Sequence, residues 1–174
     1  GVVFSPSFIM KPEFYLAGMK RAISYEENNR HFTANKTMVD FAYNHVSRIN
    51  NVVNYDVFYG LVLYSDQPSV FHYYMPSVEV EKDTVVEEPF TYRAVPTGEY
   101  AVFKYIGLHR PEDLTIVELN EIYDYSLHWI ANHERYELEA GYHFERVDLS
   151  VCSQDYCELE IYIPIRNKIT SKGE

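Results

Sequence analysis

The order of elements written in this chain repeats once, at an offset of about 85 residues, and a duplicated unit restricts the fold to two similar, facing halves. Each half reads strand, helix, strand, strand. In the first, residues 13–25 form the opening strand. Thr37 to Asp40 has the form of a capping box, in which the threonine oxygen and the carboxylate both reach free amide groups. Val39, Ala42, Val46, Ile49 and Val53 then recur at gaps of three and four, one apolar helical face. Residues 57–64 and 71–80 are the next strands, joined by a turn at 66–69. The second half opens near Tyr92, with Pro96-Thr97-Gly98 as a turn or bulge inside its first strand. Thr115 to Glu118 is a second capping box, heading a helix striped by Ile116, Leu119, Tyr123, Leu127 and Ile130. Residues 142–149 and 157–165 close it as a hairpin. Tyr15 matches Tyr100, Val57 matches Tyr142, and Tyr73-Tyr74-Met75-Pro76 echoes Ile161-Tyr162-Ile163-Pro164. The Glu-rich stretch 81–90 reads as a solvated linker or strand edge. The expectation is one α+β domain over 1–174, with halves at about 10–80 and 91–166 and two helices on one side of an antiparallel sheet.

The 174 residues suffice for a real core, and 47% hydrophobic with 24% charged residues is ordinary for a globular chain. The 17 tyrosines beside a single tryptophan are not ordinary. Tyrosine joins an apolar body to a polar tip, so the excess fits interfaces, a ring-lined cavity, or simple replacement of phenylalanine on half-exposed strands. The net charge of −11 opposes phosphate binding, so the chain taken whole is a poor partner for nucleic acid and a better one for cationic or neutral molecules. Cys152 and Cys157 sit at hairpin spacing for a disulfide, and with only His143 nearby they make no metal site. There is no run of 18 apolar residues and no basic start leading into an apolar stretch, which points to the cytoplasm and away from membranes.

Strand alternation separates the side chains that carry chemistry. In the last strand Leu159, Ile161 and Ile163 point one way, toward the helices. Glu158, Glu160 and Tyr162 point the other, toward water or an internal cavity. In the preceding strand Glu145 shares a face with His143 and Val147, opposite Phe144 and Arg146. A glutamate facing a tyrosine-rich cavity without a base demands a positive ligand, and each ring face adds roughly 0.5 to 2 kcal/mol of cation–π attraction. The alternative is that Glu145 pairs across the sheet with Arg93 or Lys104, or faces solvent. No catalytic constellation assembles: there is no nucleophile elbow, phosphate-cradling loop or zinc-binding helix. No cofactor is expected.

Four segments together carry a resemblance. They are Gly98-Glu99-Tyr100-Ala101-Val102-Phe103 with Gly107, the helix end Leu127-His128-Trp129-Ile130, Phe144-Glu145-Arg146-Val147, and Glu160-Ile161-Tyr162-Ile163-Pro164. In that order they resemble the GyrI-like family, the effector-binding domains fused to bacterial transcription activators of the AraC and MerR types. The resemblance covers about residues 8–165. It implies two β-α-β-β units about a pseudo-twofold axis, with a cavity between them that recognises lipophilic cations through a glutamate. Carried over, Glu145 is the ligand carboxylate and Tyr162 a ring of the site, with Trp129 and Glu160 beside them. Pseudosymmetry adds Tyr59 and Tyr74. Val147 stands where the family has a tyrosine, which removes one ring. The function so implied is ligand sensing for a regulator. DNA is then met through a helix-turn-helix segment preceding residue 1, a start without Met fits an excised piece, and a homodimer is compatible. Two alternatives accompany it: a hydrolase of cyclopropane-bearing alkylators, and a protein-binding module of the kind that acts on gyrase.

Overall fold

In the computed structural model, which describes residues 1–139 and 141–169, the elements run β1 (Val2–Val3), β2 (Ser7–Lys11), β3 (Phe14–Gly18), β4 (Arg21–Ser24), α1 (Tyr25–His31), α2 (Thr33–Asn44), β5 (Val57–Tyr64), β6 (Phe71–Val80), β7 (Thr91–Val95), β8 (Gly98–Gly107), α3 (Ile116–Ala131), β9 (Tyr136–Leu138), β10 (Tyr142–Asp148) and β11 (Cys157–Asn167). Every pairing is antiparallel. The main path across the sheet is β1-β8-β11-β10-β5-β6-β3-β7, with β2 on β8, β4 on β6 and β9 on β11. The fold is α+β, as expected, and the duplication is visible in the topology. The first half contributes β3-β6-β5 and the second β8-β11-β10, meeting at β5–β10. No helix among the described residues is long and apolar enough to cross a membrane. Residues 140 and 170–174 of the expected domain lie outside the described residues.

Several local expectations are corrected. The opening strand splits into β3 and β4, both paired with β6. The split follows Gly18, where a Cβ would lie 2.0 Å from the Pro76 carbonyl oxygen. The first helix is two helices broken at Phe32, whose φ of 53° places it in the left-handed region. Thr37 therefore lies inside α2 and caps nothing. The capping falls to Ser24, whose Oγ accepts from the Glu27 amide at 3.0 Å, and to Asn28, whose Oδ1 accepts from the Ala34 amide at 3.0 Å. The apolar face also ends early, since α2 stops at Asn44 and Val46–Arg48 is a 3-10 turn. The Pro96–Gly98 turn does not lie within one strand. It separates β7, which pairs with β3 of the first half, from β8, which pairs with β11. The 81–90 stretch is mostly exposed and irregular, as read, and is held at two points by buried Thr84 and Phe90, with the Arg48 guanidinium 5.0 Å above the Phe90 ring. Cys152 and Cys157 are free thiols.

The Thr115 box forms as read: Thr115 Oγ1 accepts from the Val117 amide at 3.3 Å, and Glu118 Oε2 accepts from the Thr115 amide at 3.0 Å. On the helix face of the sheet, Leu159, Ile161 and Ile163 pack with Ile122 and Ile130 of α3. The other face has a core of its own. Phe14, Tyr59, Tyr100, Phe144 and Tyr162 fill it, with Ile9 against them. Phe144 stacks on Tyr162 at 4.6 Å and meets the Phe14 ring at 5.4 Å. Part of the tyrosine excess is thus ordinary core packing. Truncating Phe144 to alanine leaves a cavity with no exposed route for collapse and lowers stability by about 3–5 kcal/mol in urea denaturation, while Thr115→Ala costs about 1 kcal/mol.

Candidate functional site

Glu145 sits in the middle of β10, opposite Gly60 of β5 and Ile161 of β11, so its side chain rises from the helix face where the halves meet. Gly60 is what makes room for it. A Cβ at that position would lie 2.9 Å from the Tyr74 hydroxyl and 3.0 Å from Glu145 Oε1, so a phenol and a carboxylate share the space over a bare backbone. Above this floor the sheet and helices leave a cavity of two adjoining lobes. The larger, about 460 Å³, is bounded by α2, the Pro111–Asp113 turn, the start of α3 and strands β5, β6, β10 and β11. The smaller, about 330 Å³, continues past Tyr74 and Glu145 toward Tyr123, His143, His72 and Tyr25. Asn28, Ala34, Tyr74, Ile116, Leu119 and Glu145 line both.

The cavity walls are apolar and aromatic, and the fixed charges on them are acidic. Glu145 and Glu112 contribute carboxylates, while no lysine or arginine lines either lobe among the described residues. Nor does any described lysine or arginine pair with Glu145; Lys104 turns instead to Glu158 at 3.7 Å. Part of the Glu145 side chain faces the open cavity, and the rest is enclosed by protein. Burial therefore pushes its carboxyl up to about 7, an effect eased by the neighbouring Tyr123 hydroxyl. That hydroxyl is itself buried without a formed hydrogen bond, and burial together with the Glu145 charge raises its pKa. Tyr74 is raised for the same two reasons and stays a neutral phenol. Burial drives His143 down to about 3, so it is a neutral imidazole, with Nδ1 2.7 Å from the Tyr64 hydroxyl.

The sheet divides the residues singled out from sequence. Glu145 and Tyr74 face the same cavity. Tyr162, Tyr59 and Glu160 lie on the opposite face: the two tyrosines are buried in the aromatic core, and Glu160 accepts from Arg146 at 3.1 Å. The cause is the pleat, because Ile161, not Tyr162 or Glu160, stands beside Glu145. Trp129 is at the far end of α3, stacked on His133 at 5.1 Å, and is not a wall of the cavity. Sequence reasoning missed Tyr123 as a neighbour of the carboxylate, although it sits on the stripe assigned to the α3 core face. Glu112 and Tyr43 carried no signal, since loop and helix surfaces are not phased by a strand.

A buried, unpaired carboxyl leaves a stability signature. The folded pKa of Glu145 is above its ordinary 4.5, so the native state holds this proton more tightly than the unfolded chain. Its contribution is full below pH 4.5 and is lost as pH rises through about 7. His143 acts in the opposite sense, its contribution present above 6.5 and lost as pH falls toward 3, so the comparison needs a matched variant. Glu145→Gln melts above the wild type at pH 8, and the difference closes on acidification toward pH 4.5; thermal denaturation across that range measures it.

Comparison with known proteins gives the same architecture. No curated protein matches the sequence. The integron cassette protein VCH_CASS2 of Vibrio cholerae superposes with a TM-score of 0.67 at 14% identity, over 94% of this chain and 97% of that one. SAV2435, solved bound to tetraphenylphosphonium, gives 0.65 at 13% identity over 94% of each chain. The C-terminal domain of EcmrR gives 0.59 at 12%, over 94% and 98%. At such identities the likeness is one of fold, and it is the GyrI-like fold. The sequence itself matches, over residues 8–165, the model of the integron-associated effector-binding protein Cass2, and the chain belongs to that family.

Proposed function

We propose that this chain is a ligand-sensing domain that binds lipophilic cationic, aromatic molecules at Glu145. The observation that carries the reading is the carboxylate itself: it is buried in an apolar cavity, flanked by Tyr74 and Tyr123, and no lysine or arginine among the described residues pairs with it. Ionising such a group is unfavourable until a cation arrives, so a bound cation recovers the lost solvation as a charge-assisted contact. Tyr43, Tyr55, Phe58 and Tyr74 offer ring faces in the same lobe. Tetraphenylphosphonium in SAV2435 supports the choice of ligand class. EcmrR supports a regulator context: the longer EcmrR chain is seen in a complex with DNA, and this chain spans 57% of it, with a TM-score of 0.62. In that reading the domain works in the cytoplasm and DNA is met by a separate segment, a division that fits a net charge of −11.

Calorimetric titration with tetraphenylphosphonium tests the reading, with neutral triphenylphosphine oxide as control. Glu145→Gln weakens the cation by about 5- to 150-fold, the equivalent of about 1–3 kcal/mol, and leaves the oxide unchanged. Wild-type affinity for the cation also falls as the solution is acidified through pH 7, where Glu145 takes up its proton. Equal cation affinity in the wild type and Glu145→Gln refutes the assignment. Gly60→Ala meets the Tyr74 hydroxyl and ring edge and Glu145 Oε1, all side-chain atoms, so it displaces the carboxylate and the phenol and weakens the cation in the same titration, with folding checked by circular dichroism.

A further inference from the structure

We propose that the cavity is built for a dication, with one positive centre on Glu145 and the second at its outer end on Glu112. The inference rests on the reading of Glu145 just given and adds to it a second anionic subsite. Glu112 belongs to the Pro111–Asp113 turn and lines the same 460 Å³ lobe as Glu145. It is held in place. Asn35 Nδ2, from α2, donates to the Glu112 carbonyl at 2.9 Å and to the Leu114 carbonyl at 2.6 Å. The Tyr43 hydroxyl donates to Glu112 Oε2 at 3.2 Å. The nearest arginine in sequence, Arg110, is forked onto Asp113 at 3.2 and 3.0 Å and reaches Glu112 only through longer-range attraction.

The lobe therefore repeats one chemical combination at its two ends. Inside, a carboxylate stands beside Tyr74; outside, a carboxylate stands beside Tyr43, which is 70% exposed and marks that end as the mouth. Apolar side chains of α2 and α3 join the two ends. The independent sign that a ligand enters here is Glu145, a buried acid aimed into the lobe with no described lysine or arginine beside it. A monocation seated on Glu145 answers one of two like charges. A molecule with two cationic heads on an apolar spacer answers both, and the spacer lies against the apolar wall.

The test is a series of bis(pyridinium)alkanes of increasing spacer length, each compared with the alkylpyridinium of the same length. One spacer length gives a maximum, binding the wild type at least about tenfold more tightly than its one-headed counterpart, the scale of one added charge-assisted contact. Glu112→Gln removes most of that gain and leaves the one-headed compounds within about twofold, whereas Glu145→Gln weakens both kinds. A dication advantage that survives Glu112→Gln, or no advantage at any length, overturns the proposal while leaving the role of Glu145 intact. Affinities of both kinds unmoved by Glu145→Gln overturn the Glu145 assignment instead.

Discussion

The pairing of β5 with β10 is the contact on which the rest of the molecule depends, because it sets Gly60 directly across from Glu145 at the meeting of the two halves. A side chain at position 60 would occupy the volume that the carboxylate and the Tyr74 hydroxyl now share. The strands on either side extend this seam into a floor, and α2 from one half and α3 from the other stand over it, linked where Asn35 donates to the Glu112 and Leu114 carbonyls. The cavity is the space left by that geometry. Elements of both halves line it, because the two units are joined edge to edge at this seam.

The two faces of the sheet do different work. One is filled by interlocking aromatic rings around Phe144, whose stacking on Tyr162 and edge contacts with Phe14 and Tyr100 hold the centre of the sheet rigid. The other carries the cavity. Residues adjacent in sequence are thereby assigned to opposite roles: Phe144 stabilises, Glu145 destabilises, Arg146 closes an ion pair with Glu160. Holding an acid in an apolar space lowers the stability of the empty protein, and in the function proposed above the same energy becomes selectivity for a cation. A site of this kind is preorganised, since the rigid face behind it fixes where the carboxylate stands.

Much of the architecture was legible in the chain alone. The duplicated order of elements, the central strands β5 and β6, the box at Thr115 and the helix-facing set Leu159, Ile161 and Ile163 all follow from local chemistry: period-two and period-3.6 patterning and the needs of a helix terminus. Glu145 could be singled out the same way, from its strand phase and its family motif. The break at Phe32 could not, because it is capped by Asn28 from the preceding helix, a residue with no local reason to act as a cap. The strand exchange at Pro96–Gly98 was equally hidden, since a turn does not state which sheet edge each of its arms will join.

The composition of the site was decided by tertiary structure. Alternation tells which residues of one strand share a face, but it does not tell how two strands are phased against each other. Only the register pairing Glu145 with Ile161 reveals that Tyr162 and Glu160 belong to the reverse side. Tyr123, Tyr43 and Glu112 enter through α3, α2 and a turn, brought to the cavity by packing between segments far apart in the chain. The sequence by itself determined the duplicated order of the main elements and which residues share a strand face with Glu145. Which side chains surround that acid, and that no described lysine or arginine is among them, was settled by long-range pairing and packing, which no local pattern encodes.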